Sequence, residues 1–529
     1  MNTVLKYAET LSYLRPGQFY HRLLFKTFRP KPDLRPAPEV NGRCVKKRAF
    51  AAATDCFFGG CRFRFINEEH EIKDASGWND AGINKLWLYN LHYFDFLRQP
   101  DITGEAGALW IERWIKENPP ATGNGWEPYT LSLRIVNWIK WRLAGHELSA
   151  EALHSLAVQT RYLGKSLEYH LMANHLLANA KALVFAGCFF DGAEASEWLE
   201  KGLAVYRDQL PEQILNDGGH FERSAMYHSI ILEDLLDLKN ISSPLDADLY
   251  ITKMLRWLAV MTGPDGKICL FNDAAHGIAA APDKLLEYAA ALGFRTEGLS
   301  VSSSYDLPDT GYARLQRGDW TCICDGAPIG PDYQPGHSHA DTLTFELWHK
   351  DKRIICDSGT KQYIQSDIRR QQRGTAGHNT AVIDGKDSSY VWSAHRVAGR
   401  ARIIKRFFSR EMFSAAHNGY SGIIHERDWI ISEGGLIIGD YLQGAGAHDI
   451  ALMFHFSPEY KIFIIDDKTV KIDCGEVSLA LKTDCDSMEI SPAAGRYSPE
   501  FGVEQKSPVI CFKTRTVLPF KITTSIYVI

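Results

Sequence analysis

The densest run of chemically versatile side chains is Pro335-Gly-His-Ser-His-Ala-Asp341, followed by Cys356-Asp-Ser-Gly-Thr360 and Gly377-His-Asn-Thr380. Imidazole nitrogen and carboxylate oxygen suit a borderline divalent ion such as zinc. His339, Asp357 and His378 would supply two nitrogens and one oxygen. The hairpin around His349–Lys352 brings Asp357 roughly opposite Thr344, at the end of the sheet where His339 arrives. His337 stands two residues before His339, and in an extended intervening backbone the two side chains point to opposite sides. One can then hold an ion while the other faces a substrate. With its ordinary pKa near ~6.5, an imidazole is a competent proton acceptor at neutral pH. The alternative for either histidine is a hydrogen-bonded structural role.

Two helical stretches carry further candidates. In Tyr169-His-Leu-Met-Ala-Asn-His-Leu-Leu-Ala-Asn179, Asn174 and His175 are polar residues among apolar ones, so they are either hydrogen-bond nodes or line a cavity. In Asp217-Gly-Gly-His-Phe-Glu-Arg-Ser-Ala-Met-Tyr-His228, a glycine turn leads into a helix bearing Glu222, Arg223, Tyr227 and His228. Trp126, Glu127, Tyr129 and Arg134, within Gly125-Trp-Glu-Pro-Tyr-Thr-Leu-Ser-Leu-Arg134, have the types that stack on sugars and pair with carboxylates. Packing at a helix entry is the competing role for that group.

The elements that must position these groups change character along the chain. From about 80 to 295, apolar residues recur at helical intervals in Asn90–Leu97, Leu131–Trp141, Leu167–Phe185, Met226–Leu238 and Leu285–Leu292, with short polar joints and no fixed-length repeat. This pattern predicts a helical toroid. Beyond Ser302-Ser-Ser-Tyr-Asp-Leu-Pro308 come alternating runs flanking turns, at Thr342–Trp348 with Arg353–Asp357, Trp429–Ser432 with Leu436–Asp440, and Lys461–Ile465 with Thr469–Asp473. Serial hairpins fit an antiparallel sandwich. The expected divisions are 1–79, a basic arm and lead-in, then 80–300, helical, then 301–529, β. A cleft between the two larger parts is a favoured ligand site.

Composition narrows the field. The 529 residues carry 59 Lys+Arg against 64 Asp+Glu, a net charge of −5, which gives no support to nucleic-acid binding. No stretch reaches the ~20 apolar residues of a membrane-spanning helix. The 11 cysteines show neither metal-type pairing nor the density of a disulfide scaffold, so reduced thiols are expected. Residues 15–48 are basic, with Arg15, Arg22, Lys26, Arg29, Lys31, Arg35, Arg43, Lys46, Lys47 and Arg48 against Asp33 and Glu39. Leu11–Phe28 reads as a short amphipathic helix. The arm is expected either to pack along a larger domain or to dock on an anionic lipid surface or glycan. The start of the sequence lacks a secretory pattern, which gives a cytoplasmic expectation, peripheral at the inner membrane face, with export by another route as the alternative.

Taken together, Asn174-His, Gly218-Gly-His-Phe-Glu-Arg-Ser-Ala-Met-Tyr-His228, Phe271-Asn-Asp-Ala-Ala-His276, Gly336-His-Ser-His-Ala-Asp341, Cys356-Asp-Ser-Gly and Gly377-His-Asn-Thr resemble the heparinase II/III family of polysaccharide lyases. The front end, with Tyr13-Leu-Arg-Pro-Gly-Gln and Lys85–Leu97, looks like members associated with surface-polysaccharide biosynthesis. The resemblance implies an incomplete (α/α) toroid followed by an antiparallel β-sandwich. It implies a zinc ion on His339, Asp357 and His378, expected to brace the β domain rather than to activate water. Tyr227 and His337 match the catalytic tyrosine and histidine, and Asn174, with His175 beside it, matches the group that neutralises the uronate carboxylate. Tyr363 is a loose match to a further active-site tyrosine.

The implied reaction is β-elimination across a uronic acid of an acidic polysaccharide. Removing the proton next to a carboxylate builds negative charge that hydrogen-bond donors or cations must meet. Asn174, assisted by Arg134 or Arg223, would do so, with Glu222, Trp126, Tyr129 and Tyr363 completing the substrate contacts. A tyrosine base would require its phenol pKa to be depressed by nearby positive charge. Two rivals remain at this stage. A glycoside hydrolase would need facing carboxyl groups, for which Glu222 and Asp341 are the available pair; a noncatalytic glycan-binding protein would need none.

Overall fold

The computed structural model describes residues 3–42, 47–299 and 301–529. Arg43 and Lys46 of the basic arm lie outside the described residues. The arm begins with two helices, α1 (Thr3–Ser12) and α2 (Pro16–Thr27), where the sequence reading expects one. Pro16 separates them: its fixed φ suits the first position of a helix, and it has no N–H to continue the previous one. Both helices pack inward on the rest of the chain. In α2, Gln18 reaches the carbonyls of His170 and Tyr333 while Phe25 stacks on His170. In α1, Glu9 accepts the Gly399 N–H at 2.7 Å, Thr10 donates to Val397 O, and Tyr7 meets Trp392 edge-on. The arm therefore ties the helical half to the β half.

A hairpin, Arg62–Phe65 with Glu68–Glu71, leads into the helical half. That half runs from Lys85–Tyr93 to Pro282–Ala291. Its helix Ala173–Phe189 is buried on nearly every face, the signature of an element inside the packing rather than on its rim. Sequence periodicity would begin this helix at Leu167. In the structure, Met172 (φ 61°) and Ala173 (φ 50°) take positive φ, and the helix starts only there. Non-glycine residues at positive φ cost energy, persist where surroundings impose them and gather at functional sites. Here the imposed turn presents the next residue, Asn174, at a helix N-terminus.

After Ala291 the chain turns to strands, the first at Tyr305–Leu307. A five-stranded sheet runs in chain order from Tyr305–Leu307 to Lys352–Ile355. An eight-stranded sheet begins Ile403–Phe408, Met412–Tyr420, Ile423–Ser432, Gly435–Gln443, and then accepts the last strand, Phe520–Val528, beside the fourth. A four-stranded sheet contains Ala381–Ile383 and Ala447–His455. Every pairing between described strands is antiparallel. The three expected hairpins form, with Trp348 opposite Arg353, Ser432 opposite Gly435, and Lys461 opposite Asp473. The helical half followed by an antiparallel β half is the architecture the sequence predicts. Leu347, Trp429, Ile438, Phe454 and Phe512 fill the core between the sheets, while the helices share a separate, tryptophan-rich core.

Candidate active site

The meeting of the two halves encloses a cavity of ≈ 580 Å³. Asn174, His175, Tyr129 and Tyr227 line it from the helical half, His337, Tyr363 and His395 from the β half, and Tyr7, Leu11, Leu14 and Arg22 from the N-terminal arm.

Each reactive group is held by a buried partner. Glu222, 1% exposed, accepts from the Asn174 side-chain amide at 2.9 Å and from its backbone N–H at 3.2 Å. The orphan N–H of a helix N-terminus thereby gains an acceptor. His175 donates Nδ1–H to Glu168 at 3.2 Å. Burial alone would favour its neutral form, but the Glu168 carboxylate outweighs that and raises the imidazole pKa; burial would likewise raise Glu168, yet His175 brings it below its ordinary value. The helix Ala225–Asn240, whose Ser224 cap accepts from the Tyr227 N–H, carries Tyr227 to the junction. Gly219 allows this approach, because a Cβ there would lie 2.2 Å from Thr310 Cγ2 and 2.4 Å from Trp257 Nε1.

Tyr227 stacks on His337 with ring centroids 4.0 Å apart, and its hydroxyl lies 3.0 Å from that of Tyr363. Burial, reinforced by Tyr363, Tyr129 and Glu222, pushes the Tyr227 phenol well above its ordinary value. A raised pKa favours the neutral phenol, a proton donor, so the condition that a tyrosine base would need is not met in this structure. His337 hydrogen-bonds through Nδ1 to Asp273 Oδ2 at 3.0 Å, and its Nε2 is 3.7 Å from Glu222. Burial opposes charge on Asp273, but Arg369 and the two histidines hold its carboxyl well below the usual range. A carboxylate accepts only from a protonated nitrogen, so Nδ1 carries a hydrogen and Nε2 is the nitrogen left to face the cavity.

Asp273 organises more than His337. It accepts from His339 Nε2 at 2.8 Å and pairs with Arg369, whose Nη2 is 2.7 Å away. Arg369 is 1% exposed and also donates to Ala394 O. Sequence reasoning quoted the Phe271–His276 stretch but gave Asp273 no role. The signal available was an aspartate inside a motif shared with the catalytic histidines.

The candidate metal ligands lie directly behind this network. With Nε2 bonded to Asp273, His339 keeps Nδ1 free; with Nδ1 bonded to Asp357 Oδ2 at 2.7 Å, His378 keeps Nε2 free. Both free nitrogens are buried and have no hydrogen-bond partner among the described residues. Donor atoms of His339, Asp341 and His378 lie within 4.8 Å of one another. Two orphaned imidazole nitrogens converging with a carboxylate oxygen fit a divalent ion. In this structure the carboxylate beside the two free nitrogens is that of Asp341, while Asp357, the expected ligand, hydrogen-bonds His378 Nδ1, the kind of support carboxylates commonly give metal-binding histidines.

Several sequence-proposed contacts lie elsewhere. Arg134 is fully buried over the Trp114 ring, donating to Gln159, His92 O and Gly125 O, and does not line the cavity. Arg223 (φ 58°) donates to Thr310 O and Phe221 O. Trp126 is buried against Trp114 and Tyr162 and borders a separate groove of ≈ 770 Å³ beneath α2. His228 stacks on Trp257 and bonds Met254 O. Glu222 and Asp341, the pair a hydrolase would need, both sit outside the cavity lining. Tyr129, 4.4 Å from the His175 ring, and Tyr363 are where a substrate contact requires them.

The comparisons with known proteins agree with this architecture. The heparinase II/III N-terminus model matches residues 107–292, and the heparinase II/III-like C-terminal model matches residues 300–525. A heparin-sulfate lyase of Bacteroides thetaiotaomicron is 26% identical over 441 residues, covering 69% of this chain and 61% of that protein. FtsZ-localized protein C of Caulobacter vibrioides is 25% identical over 306 residues, covering 54% of this chain and 50% of its own length. The chain thus spans less than two thirds of the length of these curated relatives. A crystal structure of heparinase III superposes with a TM-score of 0.70 at 17% identity, covering 98% of this chain and 93% of that one.

Proposed function

Because this chain belongs to the heparinase II/III family, we propose that it is a polysaccharide lyase cleaving a uronic-acid-containing polysaccharide by β-elimination. The observation that carries the reading is the convergence of Asn174, Tyr227 and His337 from two halves of the chain on one cavity. Asn174, with its amide oriented by Glu222, and His175, whose imidazole pKa is raised by Glu168, meet the uronate carboxylate. Their charge and dipole oppose the negative charge that grows as the adjacent carbon is deprotonated. His337 Nε2 takes that proton. The C–H electron pair becomes the ring double bond, the bond to the glycosidic oxygen breaks with its electrons on oxygen, and the Tyr227 phenol supplies the proton to that oxygen. After product leaves, the proton on His337 is released to solvent and the Tyr227 phenolate takes one up, which resets the site; Tyr363 hydrogen-bonds the phenol at rest.

Zinc held by His339, Asp341 and His378 would supply a fixed positive charge behind the junction. The substrate is proposed to come from surface polysaccharide metabolism. The arm supports peripheral contact with an anionic membrane: Phe19, Tyr20 and Leu23 are 45%, 61% and 62% exposed on α2, near Lys26, Arg29 and Lys31. Co-sedimentation with anionic vesicles, abolished by Leu23→Glu, tests this contact; equal recovery of the variant rejects it.

A noncatalytic binding role is the second reading, since one relative is named for where it localises and not for a reaction. Incubation with a panel of acidic polysaccharides, read at the ultraviolet band of unsaturated uronates, separates the two. A lyase generates absorbance, whereas a binding protein retains oligosaccharide without it.

A further inference from the structure

The eight-stranded sheet ends in a strand that nothing finishes as an edge. Lys461–Ile464 pairs with Thr469–Asp473 on one side and with no strand among the described residues on the other. Just beyond its end, Ile465 donates to the Thr469 carbonyl, and antiparallel partners alternate between bonded and non-bonded positions. Phe463 therefore turns its N–H and C=O toward Thr469–Asp473. Ile462 and Ile464 turn theirs outward, where they have no backbone partner among the described residues. Natural edges are usually blunted by charge, proline or a bulge. This one carries Ile462-Phe-Ile-Ile465 instead, and its Phe463, Ile464 and Ile465 are all exposed.

A row of the sandwich core also runs out into solvent here. Ile464 lies beside Val470, Val470 beside Leu481 and Leu481 beside Ile526; the last three are 0% exposed, while Ile464 is 49% exposed. Unlike charges flank the apolar run. Lys461 precedes it, Asp466 and Asp467 follow it, and neither Lys461 nor Asp467 makes an ion pair among the described residues. We infer that this edge is the contact between two copies of the chain, paired antiparallel about a two-fold axis at Phe463. In that register Ile462 lies opposite Ile464 of the partner subunit, so each outward N–H meets an outward C=O and the open end of the core row is covered. On the other face Phe463 meets Phe463 of the partner subunit, and Lys461 reaches Asp467 of the partner subunit along the diagonal. Parallel pairing would set like charges side by side. The contact is isologous, so it closes at a dimer rather than growing into a filament. A strand of an unrelated protein could meet the outward backbone groups, but the order of charges, positive then negative, is answered by this same segment reversed. No residue from 461 to 467 lines the cavity, so the inference stands apart from the lyase reading.

A strand this short makes a small contact, which puts the dissociation constant on the order of micromolar. Sedimentation velocity on the full chain, from about 1 to about 200 µM, should therefore show reversible dimerisation. Amide exchange at Ile462 and Ile464 should slow by about tenfold between the dilute and concentrated ends of that range. Ile464→Lys should leave a monomer throughout it. Lys461→Asp and Asp467→Lys should each weaken association by about three- to tenfold, and the double variant should restore it. All three positions are exposed, so the variants keep the fold, which unchanged urea midpoints would verify. A wild-type chain that stays monomeric at about 200 µM, or a dimer that persists in Ile464→Lys, overturns the inference. So does a dimer whose charge-exchanged double variant stays as weak as its parents, since antiparallel self-pairing requires the restoration.

Discussion

Asp273→Asn is the most informative single perturbation, because one carboxylate serves Arg369, His337 and His339 together, with Thr360 as a weaker fourth partner. In the wild-type chain it neutralises Arg369 with a 2.7 Å contact, fixes the His337 tautomer at 3.0 Å and orients His339 at 2.8 Å. Unit charges about 4 Å apart interact by about 4 kcal/mol at an effective dielectric of about 20. Removing one member of a buried pair costs about 3–5 kcal/mol, since the other stays buried and uncompensated. An amide keeps one acceptor for three donors, so at least one histidine also loses its partner. Equilibrium urea unfolding of Asp273→Asn, Arg369→Met and the double variant should therefore show a single-site loss of about 3–5 kcal/mol and a coupling of at least about 2 kcal/mol between the sites. Two further readouts separate this from general damage. Zinc affinity, measured by chelator competition, should fall by about 10–100-fold through His339, and kcat should fall by about 10²–10⁴-fold through His337. A loss below 1 kcal/mol, or strictly additive effects with Arg369→Met, would refute the network.

Zinc content should distinguish the two aspartates: Asp341→Asn should abolish stoichiometric binding, while Asp357→Asn, acting through His378, should weaken it by about 10–100-fold; equal loss in both would place them in the same shell. Arg134→Met leaves His92 O and Gly125 O without a donor, so it should destabilise the chain by about 3 kcal/mol in denaturant with KM unchanged; a raised KM in a stable variant would return Arg134 to the substrate site. The Glu168–His175 pair gives a pH signature. His175 has a raised folded pKa, so its contribution is fully present below its unfolded value of about 6.5 and is lost as pH rises through the raised value. Glu168 has a lowered folded pKa, so its contribution is present above about 4.5 and is lost as pH falls through the lowered value. Urea midpoints across pH 6 to 9 should decline in the wild-type chain and stay flatter in Glu168→Gln; parallel profiles would exclude the pair.

The sequence reading succeeded where spacing carries geometry. Alternation in the hairpins and 3.6-residue recurrence in the helices gave the two-part architecture, and the order of motifs located Asn174, His175, Tyr227 and His337, all of which line one cavity. It failed where a polar residue's direction decides its role. Arg134 and Trp126 sit on or beside an amphipathic helix in types that bind sugars, yet their side chains turn into the packing, and a one-dimensional pattern does not say which buried acceptor a guanidinium will find. Asp341 and Asp357 were equally available by type; only the hydrogen bond from His378 Nδ1 sends one behind the imidazole and leaves the other beside it. The positive φ of Met172 and Ala173, which sets where Asn174 begins its helix, is imposed by tertiary packing and has no glycine to announce it. The inward packing of α1 and α2 likewise depends on partners hundreds of residues away, such as Glu212 for Arg15 and Gly399 for Glu9.

The central claim is that a phenol from the helical half and an imidazole from the β half carry out an elimination. The direct measurement is ultraviolet product formation by the wild-type chain, Tyr227→Phe and His337→Ala on one cleaved uronate oligosaccharide, with product masses read in parallel. The account predicts unsaturated product from the wild-type chain and a loss of at least about 10²-fold in each folded variant. Saturated, water-added products from the wild-type chain, or undiminished unsaturated product from Tyr227→Phe, would contradict it.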